Sequence, residues 1–65
     1  MSYITQFTPK QARDYVGLKQ EEVAQKLGIS RFTYAKLEEE PERFTIAQSR
    51  KFAEIVNMPY SQILF

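Results

Sequence analysis

The 65-residue sequence contains no cysteine, which excludes a disulfide framework and any thiolate metal centre. Histidine is absent as well, removing the commonest metal ligand and the usual general base near neutral pH. No apolar run approaches the ~20 residues that a membrane-crossing helix requires. The opening residues, MSYITQFTP, lack a basic segment followed by a long apolar one, so they do not read as a secretion signal. A cytoplasmic location is the expectation. Glycine occurs only at Gly17 and Gly28. The single carboxylate cluster, Glu38, Glu39, Glu40 and Glu42, therefore lacks phosphate-cradling glycines, a calcium loop's central glycine and a neighbouring nucleophile. No enzymatic activity, cofactor or metal is expected.

Excess charge of either sign is also scarce. Nine basic residues face eight acidic ones, a formal net charge of +1, which is low for a nucleic-acid binder. The distribution is less even than the sum. Lys10, Arg13, Lys19, Lys26, Arg31 and Lys36 fall in the first part of the chain, ahead of the glutamate cluster. A basic face beside an acidic loop is compatible with phosphate contact.

The length suits one domain with one small core. Residues 20–38, QEEVAQKLGISRFTYAKLE, organise it as two short amphipathic helices. Val23, Ala24 and Leu27 share a face, since residues three and four apart are neighbours on a helix. Gly28 follows where a helix commonly ends in a left-handed conformation that glycine takes without strain. Ser30 offers an N-cap oxygen for the next helix. Tyr34 and Leu37 supply that helix's buried side, and Ile29 closes the angle. Arg31, Phe32, Thr33, Ala35 and Lys36 face outward, a mixture of donors and apolar groups that suits a DNA major groove.

On either side the signals are equally local. Residues 1–7 show no helical period and read as an extended arm partly docked on the core. Thr8, Pro9 and Gln11 form a helix start, with a first helix ending near Gly17 and turning Ala12, Tyr15 or Val16, then Leu18, inward. Thr45 and Gln48 repeat the capping pattern and open a helix with Ile46, Ser49, Phe52, Ala53 and Val56 on its core side. Asn57 is a left-handed C-terminal candidate. Pro59 opens a last short helix over residues 60–64, with Met58, Ile63 and Leu64 inward. The expected fold is all-α, a compact five-helix domain over residues 1–65.

Through Leu18, Gln20, Val23, Ala24, Leu27, Gly28, Ile29, Ser30, Tyr34, Leu37 and Glu38, the chain resembles the phage repressor and Cro type of helix-turn-helix, the XRE-like family. The resemblance implies a lambda-repressor-like DNA-binding domain with its helix-turn-helix at about residues 20–38. It implies base contacts from Arg31, Phe32, Ala35 and Lys36, with Arg31 suited to a bidentate bond to guanine. Phosphate contacts follow for Lys19, Gln20, Ser30 and Thr33, with Gln20 spanning from a phosphate to the start of the recognition helix. Lys19 stands where the family often has a serine or threonine cap, and its ammonium cannot accept the free N–H groups there. Arg13 is placed opposite Glu38 as a partly buried ion pair. For Phe32 three readings stay open: thymine methyl contact, folding back on a neighbour, or contact with a protein partner. Residues 38–43 depart from the family's usual basic loop, and such a run is otherwise a solvated face.

These features imply a sequence-specific, double-stranded DNA-binding transcriptional regulator that acts by operator occupancy. Its partner would be an operator, bound by a homodimer through Met58, Tyr60, Ile63, Leu64 and Phe65, unless those residues only close the monomer core. No linker precedes a second domain, which favours a small Cro-like regulator from a phage or mobile element. The competing reading is a protein-binding module on the same fold, an anti-repressor or antitoxin that captures a repressor or toxin. Low net charge, the acidic loop and Phe32 motivate that alternative.

Overall fold

Helix boundaries fall where local chemistry puts them. The computed structural model describes residues 6–65, and the greater part of the expected arm, residues 1–5, lies outside them. Four α-helices follow in order: α1 (Pro9–Val16), α2 (Gln20–Leu27), α3 (Arg31–Glu39) and α4 (Ile46–Ile55). Thr8 caps α1 through a bond from the Gln11 N–H, and Gln11 Oε1 accepts from the Thr8 N–H in return. Thr45 and Gln48 repeat the reciprocal pair at α4. Each pair satisfies two N–H groups that a helix start otherwise leaves open.

Three helix ends share one device. After α1, α2 and α4 the chain turns through Gly17 (φ 79), Gly28 (φ 76) and Asn57 (φ 55). At each, the left-handed residue and its successor bond back to the last turn; Gly28 N–H donates to Gln25 O and Ile29 N–H to Ala24 O. This paired pattern satisfies the terminal carbonyls and tucks the next apolar residue, here Ile29, against the helix it follows. The end of α3 is different. Glu40 keeps a negative φ, and Pro41 starts a 3-10 turn over Pro41–Arg43, because proline cannot continue a helix hydrogen-bond ladder.

The core lies between α2, α3 and α4, with α2 packed against both partners. Val23, Tyr34, Phe52 and Val56 are completely covered or nearly so. One end is closed by aromatic rings: Phe65 sits 4.9 Å from Phe44, 5.9 Å from Phe52 and 5.5 Å from Tyr60, centroid to centroid. Phe7 joins Ile63 in a single parallel bridge, donating to Gln62 O at 2.7 Å and accepting from Leu64 N–H at 2.8 Å. The last residue of the expected arm is thereby docked on the chain's far end.

Four expectations need correction. The fifth helix is a 3-10 turn, Tyr60–Gln62, too short to form a helix that packs on its own. Leu64 is exposed rather than inward, since the extended backbone after that turn buries Ile63 and turns its neighbour out. Ile46 is 71% exposed; it occupies the first turn of α4, where the stripe that buries Ser49 and Ala53 emerges from the body. In α1 the inward residues are Pro9, Ala12 and Arg13, while Val16 lies at the rim and Tyr15 is 74% exposed. The Tyr15 ring rests on Phe7 instead, 5.6 Å between centroids. Among the described residues no helix is long and apolar enough to cross a membrane.

Candidate nucleic-acid interface

Each residue advances a helix by ~100°, so Arg31, Ala35, Glu39, Phe32 and Lys36 in that angular order occupy one arc of α3. The structure leaves this arc open. Arg31, Phe32, Lys36 and Glu39 are exposed and Ala35 is half-buried, while Tyr34 and Leu37 on the other side are core. Phe32 is 79% exposed, so its ring does not fold back onto a neighbour. Ser30 caps the helix, accepting from the Thr33 N–H and donating its own proton to Thr33 Oγ1, each at 3.0 Å. Its hydroxyl is thus engaged within the chain, and Thr33 itself is exposed.

What holds α3 at its angle is a buried polar knot at its far end. Arg13 Nε donates to Glu38 Oε2 at 2.5 Å and its NH2 to Oε1 at 3.3 Å. The two side chains are only 10% and 4% exposed. Arg13 NH1 donates to Leu18 O at 2.9 Å, and Gln20 Nε2 donates to Glu38 Oε1 at 2.9 Å. α1, the α1–α2 turn, the start of α2 and the end of α3 therefore meet at one carboxylate. Burial pushes the Glu38 carboxyl up, but the donated hydrogen bonds and the guanidinium charge outweigh it and hold it below the ordinary carboxylate range. Hydrogen bonding to Glu38 likewise raises Arg13, against the opposing effect of its burial. The expected Arg13–Glu38 pair is present. Gln20 differs from expectation: its amide reaches the end of α3, not the start.

Tyr34 is core as expected, but its hydroxyl does not reach the surface. The oxygen is buried without a hydrogen-bond partner among the described residues. Burial first, and then the adjacent Glu38 carboxylate, push its ionisation far above the usual phenol range, so it stays neutral.

Two clefts flank the open arc. One is lined by Leu18, Lys19, Gln20, Glu21 and Arg31, with Arg13 and Asp14 at its side. Lys19 makes no side-chain cap, as expected from its chemistry; its N–H is satisfied by Glu22 Oε1 at 2.8 Å. The other cleft joins Thr33 and Lys36, both expected at the site, with Arg43, Thr45 and Gln48, which the sequence reading did not assign to it. Arg43 was legible only as the end of the acidic run, yet the 3-10 turn carries it beside Lys36. That run is not one uniform surface. Glu38 is buried in the ion pair, and Glu40 accepts from Arg43 at 3.1 Å, so part of its charge is locally balanced.

At the chain's far end, Ile63 is buried and Phe65 is engaged in the aromatic cluster. Met58 is half-buried against the core. Tyr60 and Leu64 alone among the expected dimer residues present substantial apolar surface, 49% and 46% exposed.

Two short helices across a glycine turn, the second with its outward arc open between clefts carrying basic residues, define a helix-turn-helix domain of the DNA-binding, regulatory kind. A family model described as helix-turn-helix matches residues 10–63, and the chain belongs to that family, in its XRE type. No curated protein matches the chain, and no solved structure does.

Proposed function

We propose that this domain, over residues 1–65, is a sequence-specific transcriptional regulator that occupies a double-stranded operator and blocks access to it, in the manner of a small phage Cro or repressor. The observation that carries this reading is the open arc of α3, with Arg31 at its start and Lys36 one turn on. Arg31 offers a planar fork of donors to guanine O6 and N7, Phe32 and Ala35 offer apolar contact to thymine methyl groups, and Lys36 offers a mobile point charge to a base or phosphate. Lys19, the free proton of Gln20 Nε2 and the Thr33 hydroxyl are assigned to phosphates, with Ser30 orienting Thr33. Arg43 and the N-terminus of α4 extend the phosphate track on the other side.

The bound form is assigned as a two-fold dimer, with Tyr60 and Leu64 at its contact and half-sites roughly 34–36 Å apart. Selection of bound fragments from a random duplex pool tests the assignment. Enrichment of a two-fold site, with one base position losing its preference in Arg31→Ala, supports it. A pool that stays random would overturn it.

A second reading rests on Phe32. An aromatic at this exposure on a chain of net charge +1 also suits a protein hot spot, as in an anti-repressor or antitoxin. Loss of a partner's binding in Phe32→Ala, without any DNA affinity in the parent chain, would favour that reading.

A further inference from the structure

The three consecutive glutamates after Leu37 have three different situations. Glu38 is locked to Arg13 and Gln20. Glu40 is paired with Arg43. Glu39 is exposed and forms no ion pair among the described residues. It is the last residue of α3, one turn beyond Ala35 and two turns beyond Phe32, which places it in the middle of the outward arc.

This is an unfavourable place for a carboxylate. A negative charge in the last turn opposes the helix dipole, and on a face turned toward phosphates it is repelled. Lys36 stands three residues before it on the same arc, but no ion pair among the described residues offsets either effect. From this position, and resting on the regulator reading above, we infer that Glu39 is a specificity residue that selects a cytosine in the operator.

The chemistry favours one base. A carboxylate is acceptor-only, and in the major groove cytosine presents its N4 amino donor. Guanine presents O6 and N7, both acceptors, which repel it. Adenine's N6 donor lies beside the N7 acceptor, so only one carboxylate oxygen gains while the other is repelled. Arg31 as the first residue of α3 and Glu39 as its last therefore discriminate in opposite senses. Eight residues separate them, about 12 Å along the axis, or roughly three to four base-pair steps at ~3.4 Å each. The selected cytosine falls at about that distance from the Arg31 guanine.

The test repeats the duplex selection with the full chain, with Glu39→Ala and with Glu39→Gln, followed by affinity measurements on the enriched site and its single-base variants. The parent chain is expected to enrich cytosine at one position, with a preference of roughly tenfold. Glu39→Ala is expected to lose that preference alone, and Glu39→Gln to move it toward adenine, whose N6 and N7 match an amide. Both variants should bind arbitrary duplexes more tightly than the parent, because a repulsion is gone. Unchanged base preferences in both variants, with uniformly tighter binding, would overturn the inference and leave the regulator reading standing. A parent chain that enriches no sequence would take both down.

Discussion

Arg13 is a charged residue at a core position of α1, and its partner Glu38 has almost no access to water. Removing one member of such a pair strands the other in a low-dielectric site, at a cost of ~3–5 kcal/mol. A single core in a chain this small rarely supplies more than ~3–5 kcal/mol in total. Arg13→Ala is therefore expected to leave the chain largely unfolded by circular dichroism, whereas the double change Arg13→Met with Glu38→Leu should restore a cooperative transition. A folded Arg13→Ala variant would show that the knot contributes little. Tyr34 points the other way. Its buried hydroxyl lies beside the Glu38 carboxylate without a well-formed hydrogen bond among the described residues, so Tyr34→Phe should stay within ~1 kcal/mol of the parent in urea denaturation. The Arg13–Glu38 pair was legible through the resemblance, because it links two positions of a shared pattern. The Tyr34 hydroxyl was not, since the depth of a ring depends on what closes over it.

Helix ends were the most legible elements, because their chemistry lies within four or five consecutive residues. The capping pairs at Thr8 and Thr45, the glycine turns and the left-handed Asn57 all stand where the sequence places them. Helix faces were read less well where an element is short. Tyr15 and Ile46 have the right period for burial, but each falls where no neighbouring element covers it, and periodicity cannot report that. The last segment has helical composition yet only a 3-10 turn forms, as the chain is drawn into the extended bridge with Phe7. Lys19 exposes a conflict between stability and binding at the start of α2. Lys19→Ser should add a cap and stabilise the fold by about 0.5–1 kcal/mol, seen as a higher urea midpoint. The same variant should bind duplex DNA less tightly, with a salt slope shallower by about 0.9. Unchanged DNA affinity would remove Lys19 from the phosphate track.

For the molecule as a whole, the direction of the Glu38 shift sets a pH response. With its carboxyl held below the ordinary range in the folded chain, the unfolded chain takes up that proton first as acid is added. The contribution is complete at neutral pH and is lost from about pH 5 downward, through the ordinary carboxylate range and then the lowered folded one. Urea midpoints across this range should fall steeply for the parent and less steeply for the double variant Arg13→Met with Glu38→Leu; equal slopes would assign the acid loss to other carboxylates. Net charge, read alone, argues against a nucleic-acid partner, but folding sorts the charges. Glu38 is buried and Glu40 paired, while Lys19, Arg31, Lys36 and Arg43 line the clefts beside the open arc. That sorting is what a sum over residues could not display.

The most direct test is the affinity of the full chain for mixed-sequence duplex DNA, measured across a series of salt concentrations. The three cations proposed to reach phosphates, Lys19, Lys36 and Arg43, give an expected slope of log K against log salt of roughly −2 to −3 per bound chain. Affinity that does not change with salt, or no binding at low salt, would contradict a phosphate-tracking surface around α3.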